Sequence, residues 1–387
     1  MHSQNHSDQT HSATPINRAR AMSGGLPGMG IEYDHDLDVS KQFTEIYPLI
    51  SGALRDERLI SAFRLFDKEV RKHKRAFEAL GLCSLLLGLL PLLTSAIRLS
   101  ASEALFARLS TLNIITNSCG ALAIALVLWT RLKRHRRKWC QAVFCRERLR
   151  QWHFQLFLDG SFIGLWSSQR VEFEQELNRR WVSLEQNFHD GYGMMTQFVN
   201  FASHGDDLFH EPTKYSHSTV ADQVFNALLT LRLNHQLRYT RRKIETDGEE
   251  PAGFALPERT ILSETIATVT LSGAVLATSL ALFLPLLQLN PMFDITLIQT
   301  LDRSIAGAAL VLAIISAASR AYRAGFTLPD ELESYAESCD RFRELRAQFA
   351  AVSTDYEKLR YLKYIEEESA AELRRFLRMK LRATFLF

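Results

Sequence analysis

Four runs of apolar residues, each free of charged side chains, interrupt an otherwise highly charged chain. They cover residues 79–97, 109–130, 265–293 and 304–319. A hydrocarbon layer of about 30 Å takes roughly 20 helical residues at 1.5 Å each, and the first three runs reach that length. The fourth is shorter, but arginines at its ends can extend to the interface. The pattern predicts four transmembrane helices, the third over 265–289, rather than buried helices of a large soluble protein.

The distribution of charge gives the orientation of these helices. The chain has 46 Lys and Arg against 43 Asp and Glu, so its net charge of +3 is unremarkable. Eighteen basic residues nevertheless flank the apolar runs on one side, whereas the two hairpin loops hold only Arg98, Arg108 and Arg303. Basic residues favour the cytoplasmic side of a membrane. We therefore expect a multi-pass protein of the cell inner membrane with both termini in the cytoplasm.

Two halves of the sequence resemble each other. Leu-Pro-Leu-Leu occurs at 90–93 and again at 284–287, an offset of 194, and the basic segment after the second run resembles that after the fourth at an offset of 189. A fixed offset of this kind indicates a duplicated unit of helix, hairpin and long cytoplasmic helix, in parallel orientation. Chance similarity between leucine-rich helices is the alternative.

The predicted organisation follows from this repeat. Residues 1–40 are polar and form a disordered cytoplasmic tail, 41–188 the first repeat, 189–218 an irregular cytoplasmic linker, and 219–387 the second repeat. The fold class is an all-α membrane protein, with two transmembrane hairpins and a long-helix cytoplasmic bundle. Within the first repeat, Asp159-Gly160-Ser161 predicts a break between two cytoplasmic helices.

A heptad-like seam appears near the C-terminus. Its spacing alternates three and four residues, which is typical of a coiled coil. Such a seam has to be covered, either by the equivalent helix of the first repeat or by another copy of the chain. The seam residues are Phe342, Leu345, Phe349, Val352, Tyr356 and Leu359.

The search for catalytic or ligand-binding chemistry finds little. His204, Asp206, Asp207, His210 and Glu211 could ligate a metal, but their spacing is not that of HExxH and no second cluster completes a site. Phosphate-binding, dinucleotide-binding and nucleophile-elbow motifs are also missing from the sequence. We therefore predict no enzyme, no metal and no cofactor. The basic stretches at the membrane boundary are expected to meet anionic headgroups, not nucleic acid.

Polar residues within the apolar runs are small and uncharged. Such residues favour close helix packing and interhelical hydrogen bonds. Asn113 and Asn117 share one helix face and would be the first candidates to line a pore. Pro91 and Pro285 lie at matching positions of the two repeats and predict kinks that shape a pore or merely a bend. The absence of intramembrane charge argues against proton-coupled transport.

The combination of a hairpin, an Arg-rich exit and a long Glu/Arg helix resembles the SLATT-type membrane effectors of bacteria. The segment Glu147-Arg148-Leu149-Arg150-Gln151-Trp152-His153-Phe154-Gln155 is similar to segments of such proteins. Those effectors usually carry one hairpin, whereas this chain has two. The resemblance implies a membrane protein that oligomerises or opens when a cytoplasmic partner, such as a nucleotide-sensing protein, detects infection. It carries over no catalytic residue.

These observations favour a nonenzymatic inner-membrane effector that forms a pore or perturbs the membrane in a stress or antiphage system. We expect lipid contact and a homo-oligomer. A channel or transporter with constitutive flux is the first alternative, and a membrane scaffold that recruits a soluble partner is the second.

Overall fold

The computed structural model describes residues 46–100, 110–189, 197–201, 213–214, 218–245, 256–287 and 295–383. Within these ranges the chain is helical, and no strand is found. Residues of the predicted tail and most of the predicted linker, including the His/Asp cluster at 204–211, lie outside the described part.

The described helices are numbered in chain order. They are α1 (Ser51–Leu54), α2 (Glu57–Ser100), α3 (Ser110–Lys133), α4 (His135–Leu156), α5 (Gly160–Ser168), α6 (Arg170–His189), α7 (Ser218–Leu228), α8 (Asn234–Ile244), α9 (Leu256–Leu287), α10 (Ile295–Phe326), α11 (Leu328–Ala351) and α12 (Asp355–Arg382). A π-helical turn, Leu229–Leu233, joins α7 to α8.

Four of these helices are long and apolar enough to cross a membrane, as predicted: α2, α3, α9 and α10. In their most apolar stretches only 11 to 28% of the residues are buried inside the chain. Large apolar side chains instead point outward, and Leu276 and Leu282 are 71% and 73% exposed. Exposure of this kind is unfavourable in water and is stabilised by lipid. The structure is thus consistent with a membrane protein.

The first apolar helix is much longer than its apolar run. α2 has 44 residues, which corresponds to about 66 Å, and it joins the amphipathic segment around Phe63–Arg75 to the apolar run without interruption. Pro91 lies inside this helix. Arg98 and Arg303, which the sequence placed in hairpin loops, belong to α2 and α10.

Small residues bring the apolar helices together. α2 packs against α3, α9 packs against α10, and α10 also packs against α2. A Cβ added to Gly120 would lie 3.2 Å from Cγ of Pro91, so glycine permits this close approach. Between α9 and α10, Ser316 Oγ donates to the carbonyl of Ala267 at 2.8 Å and Ser319 Oγ to that of Ser263 at 2.6 Å.

Two sharp corners separate apolar from polar helices. Arg134, between α3 and α4, has φ 52°, and Thr327, between α10 and α11, has φ 54°. Both are in the left-handed region, which is costly for a residue with a side chain. Thr327 follows Arg134 by 193 positions, which is close to the sequence offset of 194. The duplicated unit itself stays a prediction.

The remaining helices and the N-terminal half of α2 form what we call the polar bundle. Its core is rich in aromatic side chains, and Phe154, Phe157 and Phe342 are at most 1% exposed. The predicted break at Asp159 is present: Asp159 caps α5 by accepting from the backbone N–H of Phe162 at 3.1 Å. A further break at Gln169 was not predicted.

The heptad seam does not continue through a single helix. α11 ends at Ala351, Val352 is extended, and α12 starts at Asp355. Tyr356 is 53% exposed, whereas Phe342, Phe349 and Leu359 are buried. The new helix begins at a local N-cap with the Thr-x-x-Glu sequence of a capping box: Thr354 Oγ1 accepts from the N–H of Glu357 at 3.4 Å and donates to the Glu357 carboxylate at 2.7 Å. This local signal outweighs the heptad spacing.

Candidate functional site

The polar bundle encloses a large cavity next to the apolar helices. Its volume is about 780 Å³, and its walls are formed by α2, α4, α8, α11 and α12 with the adjoining ends of α9 and α10. This size lies within the range of small-molecule sites. Aromatic rings such as Trp139, Tyr239 and Phe376 share the walls with charged groups.

The cavity is predominantly basic. Eleven Lys and Arg side chains line it against seven carboxylates. Lys74 and Arg75 lie in the middle of α2, about one turn before its apolar run begins. Both are exposed and make no ion pair within the described part of the chain. The wall nearest the apolar helices therefore attracts anions.

Ion pairs connect α2 to α4 along one wall. Asp67 of α2 accepts from Arg146 of α4 at 3.0 Å and from Arg71 at 2.5 Å. Arg146 also contacts Glu147 at 3.1 Å, and Glu147 contacts Arg150. The Asp67 side chain is only 8% exposed. Because these charges are shielded from bulk water, removing one of them would leave the others without compensation.

A buried arginine supports the opposite wall. Arg232, in the π-helical turn, donates from Nε and Nη2 to both oxygens of Glu366 at 2.6 and 3.1 Å, and both residues are 3% exposed. Its guanidinium lies 5.0 Å from the ring centre of Phe154. The third nitrogen, Nη1, has no hydrogen-bond partner among the described residues. π-Helical turns often occur at functional sites, and this turn places the positive charge of Arg232 inside the bundle.

The carboxyl of Glu372, which lines the cavity, has a pKa raised close to neutrality. It forms no hydrogen bond or ion pair within the described part, and its remaining surface lines the cavity. Burial and, to a lesser degree, the nearby charge of Glu147 raise the pKa of Glu372 to about 7. The group therefore changes charge near physiological pH, when the ordinary glutamate is fully ionised.

Lys380 closes the membrane-facing end of the cavity. Its Nζ donates to the carbonyl of Phe326 at 3.1 Å and to Oγ1 of Thr327 at 3.0 Å, and it also contacts Glu331. The lysine is 6% exposed. This contact fixes the last turns of α12 against the corner at which α10 leaves the apolar layer.

The residues predicted to line a pore lie elsewhere. Asn117 is exposed on α3, on the outer surface of the described chain, and the side chain of Asn113 lies outside the described part. Pro91 packs near Gly120 between α2 and α3. Pro285 falls in the last turn of α9, without a described side chain. The assignment of these residues to a pore stays a prediction.

The segment 147–155 that carries the resemblance belongs to α4. Glu147, Arg150 and Gln151 line the cavity, and Phe154 is buried beside Arg232. Sequence reasoning missed Asp67, Arg232, Glu366, Glu372 and Lys380 as parts of one site. One signal was present, since Arg232 stands alone between Leu231 and Leu233 in an apolar stretch.

The described residues also bear on metal binding and on the reactivity of the cysteines. In the described part of the chain, no group of three or more His, Cys, Asp or Glu side chains is arranged to hold a metal ion. The cysteines are free thiols, and burial raises the pKa of Cys140 and Cys145 to about 12. Thiols of this kind are unreactive.

In comparisons with known proteins, the chain matches no protein-family model, no curated protein and no solved structure.

Proposed function

We propose that the protein is a nonenzymatic effector of the bacterial inner membrane, in which the state of a cytoplasmic bundle controls the packing of four membrane helices. The observation that carries this proposal is α2. One unbroken helix contributes Phe63, Asp67 and Lys74 to the cavity and then continues into the apolar layer as far as Ser100. A displacement at the cavity therefore moves the membrane segment with it.

The contacts around α2 are suited to two alternative arrangements. The ion pair of Asp67 with Arg146 holds α2 to α4, whereas the apolar half of α2 packs on α3 and α10. A bound activator that competes with Asp67 for Arg146 would release α2 from α4. A ligand shifts such an equilibrium only by its different affinity for the two states. Oligomers of the rearranged chain then perturb the membrane, with Asn113 and Asn117 facing other copies.

The test is the membrane potential of bacterial cells, followed with a voltage-sensitive dye. When the chain is expressed with its own gene neighbours and the cells are challenged with phage, we expect the potential to collapse. When it is expressed alone, we expect no effect. A constitutive channel would lower the potential without the neighbours, and a scaffold would never do so; either result contradicts the proposal.

The role of α2 is tested by Lys72→Pro, with Lys72→Ala as the matched control. Lys72 is an exposed residue of the α2 stretch that borders the cavity, it does not line the cavity itself, and it pairs with Glu69 on its own helix. Proline in a helix interior kinks or breaks the helix at a cost of about 3 kcal/mol. We expect Lys72→Pro to reach the membrane yet to lose the collapse, and Lys72→Ala to behave as the wild type. A full response of the proline variant would exclude α2 as the connection.

A further inference from the structure

A second cavity, distinct from the central one, lies on the outside of the corner between α10 and α11. Its volume is about 770 Å³, and it is bounded by the last turns of α10, the first turn of α11 and the last turns of α12. Five of its eleven lining residues are arginines, and Asp330 is the only carboxylate among them. This balance differs from that of the central cavity, where carboxylates pair with many of the bases.

The arginines come from two helices that are distant in the sequence. Arg320 and Arg323 end α10, whereas Arg375, Arg378 and Arg382 belong to α12. Neighbouring acids compensate part of this charge: Arg375 donates to Glu368 at 2.8 Å, and Arg323 lies 3.4 Å from Glu264.

Within the described part of the chain, no acidic residue pairs with the other three arginines. Arg320, Arg378 and Arg382 are exposed and form no ion pair or side-chain hydrogen bond in the part of the chain that the structure describes. In addition, Nε of Arg323 and Nε of Arg375 are buried without a hydrogen-bond partner there. The cavity thus combines uncompensated positive charge with unused donors, which is the condition for binding an anion.

The buried Lys380 contact sets this geometry. Because its Nζ is held by the carbonyl of Phe326 and the hydroxyl of Thr327, the last turns of α12 cannot move away from the end of α10. Arg378 and Arg382 are one helical turn apart and share a face. They are therefore presented to Arg320 and Arg323 as a preformed cluster, so that binding requires little ordering of the protein.

The position of the cluster indicates where its ligand comes from. Arg320 directly follows the charge-free run 304–319, so the cavity lies where α10 leaves the hydrocarbon layer. Guanidinium groups bind phosphate oxygens with two parallel hydrogen bonds, and basic pockets at the ends of membrane helices bind anionic headgroups. We propose that this cavity binds the phosphate headgroup of an anionic phospholipid. The proposal is independent of whether the protein is an effector.

The experiment uses the purified full chain in a neutral detergent, with lipid binding measured by native mass spectrometry. Dioleoylphosphatidylglycerol should bind the wild type, and dioleoylphosphatidylcholine should not bind detectably at the same concentration. The double variant Arg378→Gln/Arg382→Gln should weaken phosphatidylglycerol binding about thirtyfold, as expected when two bases leave an anionic headgroup. Arg320→Gln, on the other helix, should weaken it about fivefold by the same reasoning.

The matched control is Arg343→Gln/Arg346→Gln, which removes the same charge from exposed positions of α11 outside both cavities. It should bind phosphatidylglycerol as the wild type does. Thermal unfolding of each variant verifies that it is folded, and Arg320→Gln provides the result if the double variant is not. The proposal is wrong if the control and the double variant lose affinity equally, or if phosphatidylcholine binds equally well. Displacement of the lipid by inorganic phosphate at the same concentration would overturn the lipid assignment in favour of a soluble phosphate.

Discussion

Among single residues, Glu372 gives the clearest dependence on pH. The folded protein binds its proton up to about pH 7, whereas the unfolded chain releases it near the ordinary value of 4.5. The folded form is therefore favoured by this group below pH 4.5, and that contribution is lost as the pH rises to 7. The ionised carboxyl of Glu372 thus lowers the stability of the bundle at neutral pH.

We expect Glu372→Gln to increase the free energy of unfolding at pH 8 by roughly 2 kcal/mol, since about 1.4 kcal/mol accompanies each unit of pKa shift and water in the cavity moderates the effect. The gain should vanish at pH 4.5, where the wild-type carboxyl is itself neutral. Thermal unfolding in detergent at the two pH values measures it. Glu333→Gln, at an exposed position of α11, is the control and should show no such gain. An equal gain at both pH values would point to packing and contradict the assigned titration.

At the scale of elements, the two corners set the angle between apolar and polar helices. Each has the same left-handed backbone, but the corners differ in their contacts. Arg134 is exposed and caps α4 without a side-chain hydrogen bond. Thr327 is buried, and its hydroxyl donates to the carbonyl of Phe326 and accepts from Lys380. The strain is thus uncompensated at the first corner and offset by hydrogen bonds at the second.

This difference predicts opposite effects of glycine. Arg134→Gly should stabilise the protein by about 1 kcal/mol, because glycine adopts the left-handed region without steric cost. Arg134→Ala loses the same charge but keeps the strain and should give no gain. Thr327→Gly should lower the melting temperature, because Lys380 loses a buried acceptor. Melting temperatures of the three variants test this, and stabilisation by Thr327→Gly would disprove the proposed role of the hydroxyl.

At the scale of the whole molecule, the side of the membrane on which the polar bundle lies is open to a direct test. We expect Ser353, exposed between α11 and α12, to face the cytoplasm, and Arg303, exposed near the start of α10, to lie toward the outer side. In a chain whose five native cysteines are replaced by serine, Arg303→Cys should react with an impermeant maleimide in intact spheroplasts. Ser353→Cys should react only after lysis. The reverse pattern would invert the topology derived from the basic residues.

Much of the architecture was accessible from the sequence, because lipid imposes a strong local rule. A helix must be long and apolar over its whole span, and this requirement is visible residue by residue. The helix break at Asp159 was predictable for the same reason, because its signal lies in three consecutive residues, Asp159-Gly160-Ser161. The interruption of the heptad seam at Val352 was missed although its capping box is local too, because the spacing of Phe342, Phe349 and Leu359 dominated the interpretation.

The sequence alone determined that the chain is helical and that four of its helices suit a membrane. Only the tertiary structure decided which charges meet. Arg232 and Glu366 are separated by 134 positions and Asp67 and Arg146 by 79, and the local sequence around each residue does not identify its partner. Charge pairing across such distances depends on how whole helices pack. The periodic spacing of apolar residues predicts which face of a helix is buried, but not which charged residues meet. For that reason the two cavities, and the arginines around them, became visible only in the folded molecule.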